Sequence, residues 1–281
     1  MGIAISVQKR VRAPIVADLF YPDDAAELQE RLRSYGLGSG AGPAGPRAAA
    51  IIAPHGAWDI SGAIAGAAFA AAAGRRISHV ALLGTIHNYT GNGLFLSESD
   101  CFETPLGDLS VDLELCEELA SCGTMFEIND IPHLREHSLE VLLPFIKFCF
   151  PDVEIVPVLT SVSRPPLISS LARGLKLVFD DLKDETLFVV SANLSVNTHE
   201  TAARTQAEEC VRLLQENRTE QFIAGLYDGR ISACGGPLIA ALLESGLIEG
   251  AVARLVSGPL KKNRGEKDNT VFYGGISFTY P

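Results

Sequence analysis

The sequence predicts a three-layer α/β fold, with a central mixed, partly parallel sheet and helices on both faces. Three observations predict it. Short apolar runs bounded by glycine or proline alternate with segments of helical spacing, which is the order of an α/β chain. The early runs, such as "AAAIIAP" and "SHVALLG", are apolar at almost every position, as in strands covered on both sides. The last two, "AVARLVSG" and "VFYGGISFTY", alternate more, which predicts an antiparallel part. A chain of 281 residues, 47% hydrophobic and 20% charged, suits one large domain over residues 1–281.

The elements follow in order. "DAAELQERLRSY" has the spacing and charge of a surface helix. A Gly/Pro-rich loop over residues 36–47 comes next. It contains Gly40-x-Gly42-x-x-Gly45, the letters of a dinucleotide fingerprint. That fingerprint must follow a strand and open a helix, and this one does the reverse, so the stretch reads as a connector. "AAAIIAP" is a strand and "SGAIAGAAFAAAAG" a small-residue helix ended by Gly74. "SHVALLG" and "GLFLS" are strands, and "VDLELCEELASCG" is an amphipathic helix. "EHSLEVLLPFIKFCF" reads as a helix kinked by Pro144. "VEIVPVLT" is a strand, "PPLISSLARGLKLVFDDL" a helix, "TLFVVSA" a strand and "ETAARTQAEECVRLLQEN" a long helix. "GPLIAALLESG" is a helix starting just after Cys234, and two strands close the chain.

Composition narrows the function. The net charge is −11 and the one basic stretch is "PLKKNRGEK", so nucleic acid is not an expected partner. No run of about 20 apolar residues is present, so no membrane span is expected. The first residues lack a signal-peptide core. Six cysteines occur without a C-x-x-C pair, which reads as free thiols in a reducing, cytoplasmic setting.

In open α/β sheets, sites gather beyond the carboxyl ends of strands. His55, His87 and Asn193 each follow such an end, whereas His79 begins its strand and lies at the opposite edge. Two histidines on one rim invite a metal ion. Cys234 is the candidate third ligand, because a helix start favours thiolate and the glycines behind it permit close approach. In "IPHLREHSLEVLLPF", His133 and His137 are four apart, as on one helix face, and Glu136 and Glu140 share the spacing. Glu136 is read as a group supporting the ligands or as a first-turn charge. Trp58 and Tyr89, close behind the two histidines, either line the pocket or pack in the core.

Several stretches together resemble the Memo family, whose bacterial members are often called AmmeMemoRadiSam system protein B. They are "VADLFYPDDAAELQERL", "IIAPHGAWDISG", "LLGTIHN", "FETPLGDLSVD", "REHSLEVLLPF", "VVSANLS" and "CGGPLIAALL". The resemblance runs from about residue 11 to the C-terminus. It implies a fold related to class III extradiol ring-cleavage dioxygenases, which are non-haem iron enzymes, and a metal centre of His55, His87 and Cys234. The expected cofactor is then Fe(II), with Cu or Zn as alternatives. The expected partners are a small metal-chelating, for instance aromatic, substrate and O2, with a functional link to a radical-SAM protein. The implied activity is that of a dioxygenase-like oxidoreductase. A non-catalytic metal- or ligand-binding scaffold and a zinc-dependent hydrolase are the alternatives. The sequence departs from the family pattern at Gly56-Ala57-Trp58, where Ala-Gly-Tyr is usual, and at Gly236, where Arg is expected. Asn193 replaces a pocket Asp, and Val196 replaces a pocket His. Valine transfers no proton, so the acid–base role is either lost or moved to His137, His133 or His199.

Overall fold

A computed structural model of the chain describes residues 9–38, 47–160, 165–257, 261–264 (backbone alone) and 269–281. Most of the Gly/Pro loop, with its three fingerprint glycines, and most of the basic stretch lie outside these residues. In chain order the elements are β1 (Val11–Arg12), α1 (Ala25–Ser34), β2 (Ala50–Ala53), α2 (Trp58–Ala72), β3 (His79–Thr85), β4 (Leu94–Leu96), β5 (Cys101–Phe102), β6 (Leu109–Ser110), α3 (Leu113–Ser121) and β7 (Phe126–Ile128). Then come α4 (Leu143–Cys149), β8 (Glu154–Thr160), α5 (Pro165–Phe179), β9 (Thr186–Ser191), β10 (Ser195–Asn197), α6 (Glu200–Gln215), α7 (Thr219–Asp228) and α8 (Gly236–Glu244). β11 (Val252–Leu255), β12 (Lys261–Arg264), β13 (Thr270–Tyr273) and β14 (Ile276–Thr279) close the chain.

The main sheet has eight strands in the order β11-β14-β2-β9-β3-β8-β4-β7. β2, β9, β3 and β8 run parallel at its centre. β14 and β11 add antiparallel strands at one edge, and β4 pairs antiparallel to β8. The sheet is therefore mixed, as the sequence pattern predicts. The central strands are buried along nearly their whole length, which requires cover on both faces.

Local chemistry sets the helices. Asp24 caps α1 by accepting from the amides of Ala26 and Glu27, and Asp112 caps α3 by accepting from Leu115; each supplies a partner for an otherwise orphaned N–H. α2 is built of small residues because it lies against β2 and β14 with α4 alongside. Tyr35 presses on it so closely that a Cβ at Gly62 or Gly66 would sit 2.6 or 2.5 Å from that side chain. α5 packs against α3 and α8, and α8 also touches β3.

Two expectations differ from the structure. The stretch from Glu136 to Phe150 is not one helix. Glu136 is extended (φ −107°, ψ 132°), a 3-10 turn covers Glu140–Leu142, and α4 begins at Leu143. Pro144 stands in the first turn of α4, where its missing N–H costs nothing, and so produces no kink. "VFYGGISFTY" is two strands, because the chain leaves β13 at Gly274-Gly275 and enters a different sheet as β14. α7, β12 and the strands of two or three residues other than β4 carried no signal strong enough to anticipate them.

Candidate functional site

The adjacency of β2, β9 and β3 brings the predicted rim residues together. Ala53 pairs with Ser191 and Leu83 with Val190, so the three strands end in register. Just beyond these ends stand His55, His87 and Asn193. α8 begins nearby and delivers Cys234, whose Sγ lies 3.3 Å from Nε2 of His55. That approach depends on Gly235, where a Cβ would lie 2.6 Å from Ala192 Cβ and 2.7 Å from the Ser191 carbonyl oxygen.

His55 is buried. Its Nδ1 lies 2.8 Å from Ser191 Oγ, and Ser191 Oγ in turn donates to the Ser138 carbonyl at 2.6 Å. A hydroxyl has one proton to give, and the carbonyl takes it. Ser191 therefore accepts from Nδ1–H of His55, which leaves the Nε2 lone pair facing Cys234. Burial, followed by the charges of His87 and His137, holds the imidazole pKa well below its ordinary value, so the ring is neutral and able to coordinate.

His87 is fixed by Glu136. The carboxylate accepts from His87 Nδ1 at 2.9 Å and from the His87 amide at 2.6 Å. It also accepts from the amides of His137 (3.0 Å) and Ser138 (2.8 Å). Burial opposes ionisation of Glu136, but the hydrogen bonds and charge of His87, with His137 behind it, outweigh it and hold the pKa at about 2. His137 Nδ1 faces the same oxygen at 3.3 Å. The rings of His55, His87 and His137 form one cluster, with centroids 4.8 to 5.8 Å apart.

Cys234 corrects one expectation. Its helix-start position predicts a depressed thiol pKa, whereas desolvation of the half-buried side chain raises it to about 11, against the backbone N–H groups around it. One of these is the Asn193 amide, 3.1 Å from Sγ. Desolvation of a thiolate outweighs a few amide dipoles, so ionisation here calls for a cation.

The other predicted residues are placed as follows. The Asn193 side-chain oxygen accepts from the His55 amide at 3.3 Å. Trp58 packs in the core, its ring against Tyr21, Tyr35 and Phe145 and its Nε1 donating to the Val141 carbonyl. Tyr89 lies edge-on to Phe95. Val196 pairs with Val271 in the small sheet β10-β13-β12. His133 does not share a helix face with His137. It is buried and donates from Nε2 to the Phe95 carbonyl at 3.1 Å, while His199 is exposed ahead of α6. Glu140 is buried against Arg12 and also accepts from the amides of Ile15 and Val16 and from the Tyr21 hydroxyl. Arg12 further donates to the carbonyls of His133 and Glu136, so the first strand braces the loop that carries Glu136. Sequence reading missed Ser191, Ser138 and Arg12, which are common residue types in unremarkable contexts.

Among the described residues, donor atoms of His87, Glu136 and His137 lie within 4.8 Å of one another. A metal could in principle take that group. The Glu136 oxygens are already occupied by four N–H donors, however, so the carboxylate is better placed to orient the histidines than to bind an ion. The ring nitrogens left over on His55 and His87 and the Cys234 thiol, which lies beside that of His55, make two imidazoles and a sulfur, a set suited to Fe, Cu or Zn. These three donors do not all lie within 4.8 Å of one another, as those of His87, Glu136 and His137 do.

Fold and cluster together define a three-layer α/β protein with a histidine- and cysteine-rich site at the carboxyl rim of its parallel strands. Comparison with known proteins gives the family. The sequence model of the Memo-like protein family matches residues 12–277. A MEMO1 family protein of Pyrobaculum aerophilum is 30% identical over 283 residues, covering 96% of this chain and 99% of its own. One from Desulfurococcus amylolyticus is 28% identical over 279 residues, covering 95% and 98%. One from Thermotoga neapolitana is 30% identical over 250 residues, covering 84% and 88%. The chain belongs to the Memo family. No helix among the described residues is long and apolar enough to cross a membrane.

Proposed function

We propose that this chain is a metal-dependent oxidoreductase of the dioxygenase-like kind. It would hold Fe(II) through Nε2 of His55, Nε2 of His87 and Sγ of Cys234, and act with O2 on a small metal-chelating, aromatic substrate. The observation that carries this reading is the commitment of Nδ1 in both histidines, to Ser191 and to Glu136. It leaves each ring one nitrogen for ligation, and places that of His55 beside the thiol. Bound Fe(II) would supply electrons for O2 and open positions for substrate, whereas Cu would also suit the donors and Zn(II) would favour hydrolysis.

The chain's own residues then have defined work. Ser191 and Glu136 fix ring orientation. His137, beside both other rings and backed by the Glu136 carboxylate, takes the substrate's hydroxyl proton, the duty that Val196 cannot perform. Asn193 holds the His55 backbone through its side-chain oxygen and donates its own amide to the Cys234 sulfur, without adding charge. His87, the most open of the cluster with its side chain 35% exposed, marks the side from which substrate enters.

The test is anaerobic reconstitution with Fe(II), elemental analysis, and O2 uptake with a panel of catechols. The expected result is about one iron per chain at this site and uptake that disappears in Cys234→Ala. Stoichiometric iron with no turnover would favour a metal-binding scaffold, to which the neutral Asn193 and Val196 incline. A chain that takes no metal would reject both readings.

A further inference from the structure

We propose that the opposite end of the sheet carries a separate metal site, formed by His79, Asp112 and Glu154, that takes a divalent first-row ion such as Zn(II). It is independent of the rim cluster. His79 begins β3, and six residue steps of about 3.3 Å put it roughly 20 Å from the carboxyl end of that strand.

Topology brings the three together. His79 and Glu154 open the neighbouring parallel strands β3 and β8 and are register partners, so their side chains leave the same face of the sheet. Asp112 reaches them because its amide donates to the Ile155 carbonyl at 3.0 Å, beside Glu154. One carboxylate oxygen of Asp112, Oδ1, caps α3 at Leu115. The other, Oδ2, lies 3.2 Å from His79 Nδ1. One donor atom from each of the three residues lies within 4.8 Å of the others.

The second observation concerns His79 itself. Its Nδ1 is buried and has no hydrogen-bond partner, although a carboxylate oxygen stands beside it. The contact is close enough for an ion pair but does not form a hydrogen bond. Two ligands of one ion with bonds of about 2.1 Å are separated by about 3.0 to 3.4 Å, and the observed 3.2 Å falls in that interval. A buried ring nitrogen without a partner is costly, and coordination would satisfy it. One imidazole with two carboxylates suits zinc or manganese better than a soft ion. The side chains of His79 and Asp112 are 17% and 12% exposed, while Glu154 is exposed, so an ion has a route in and water can complete its shell. Such an ion would tie the starts of β3, β8 and α3 together.

The test uses the metal-free full chain and two substitutions that spare the fold. Glu154→Gln alters an exposed side chain, and Asp112→Asn keeps the oxygen that caps α3. Zn(II) is counted by equilibrium dialysis with elemental analysis, and Co(II) by absorption. The expected result is an equivalent of Zn(II) in the parent chain that each substitution removes or weakens about tenfold or more. Its Co(II) counterpart should show no thiolate charge-transfer band and survive Cys234→Ala. The inference is overturned if the parent chain holds no ion outside the Cys234 site. It is equally overturned if both substituted chains keep the parent stoichiometry and affinity, or if the equivalent they lose carries the thiolate band.

Discussion

Replacing Glu136 with Gln alters one oxygen, and the structure sets its cost. Four N–H groups donate to the carboxylate, and His137 Nδ1 stands 3.3 Å from Oε1. Oε1 accepts three of them and Oε2 accepts the His87 amide. An amide side chain keeps one oxygen acceptor and turns the other into a donor. The best fit keeps oxygen at Oε1, so the new NH2 faces the His87 amide, donor against donor. The change removes a charge-assisted bond, about 1.5–3 kcal/mol, and leaves buried donors unpaired, about 1–3 kcal/mol. The expected loss is thus about 2.5–6 kcal/mol. The depressed Glu136 pKa, about 2, points in the same direction: its surroundings favour the carboxylate over a neutral group. The assay is urea unfolding of parent and Glu136→Gln chains at neutral pH. Metal titration of the same pair should show affinity lower by about 10–100-fold, because His87 loses its orienting acceptor. A stability loss under about 1 kcal/mol would refute the assignment of Glu136 as the buried acceptor that organises this loop.

Other substitutions test other parts of the frame. Burial holds His133 at a pKa of about 4 rather than 6.5. The folded state thus binds fewer protons than the unfolded one between these values, and stability falls as pH drops from 6.5 to 4. The parent's advantage over His133→Gln should shrink by about 3 kcal/mol across that window in urea unfolding, and a constant difference would contradict the assignment. Gly235→Ala should cost about 1–3 kcal/mol, read as a lowered Tm, because the new methyl meets the Ser191 carbonyl and Ala192. An unchanged Tm would mean that the junction ahead of α8 is looser than described. Arg12→Met strands the buried Glu140 carboxylate and should destabilise by about 3–5 kcal/mol, measured by chemical unfolding; a loss under 1 kcal/mol would show that the pair does not brace the loop.

The fates of these residues show which physics a sequence displays. The rim cluster was foreseeable because it depends on two properties visible along the chain. Strands buried on both faces are apolar without alternation, and a polar residue directly after such a run must emerge at a sheet edge. That reasoning reaches His55, His87 and Asn193 before any distance is known, and the parallel order β2-β9-β3 brings them side by side. The Glu136 loop misled because its apolar residues from Leu139 to Ile146 keep a helical spacing, while the backbone at Glu136 is extended. Helix there would spend the His137 and Ser138 amides on backbone carbonyls. The buried carboxylate takes them instead, and a competition between acceptors leaves no trace in hydrophobic periodicity. Ser191 and Ser138 were invisible for a different reason. A serine in an apolar strand fits any packing role, and only the direction of its single proton assigns it to His55. Cys234 combines both lessons. Its place before a helix was legible, but the desolvation that opposes its ionisation comes with the close approach of Gly235 to Ser191 and Ala192, residues distant along the chain.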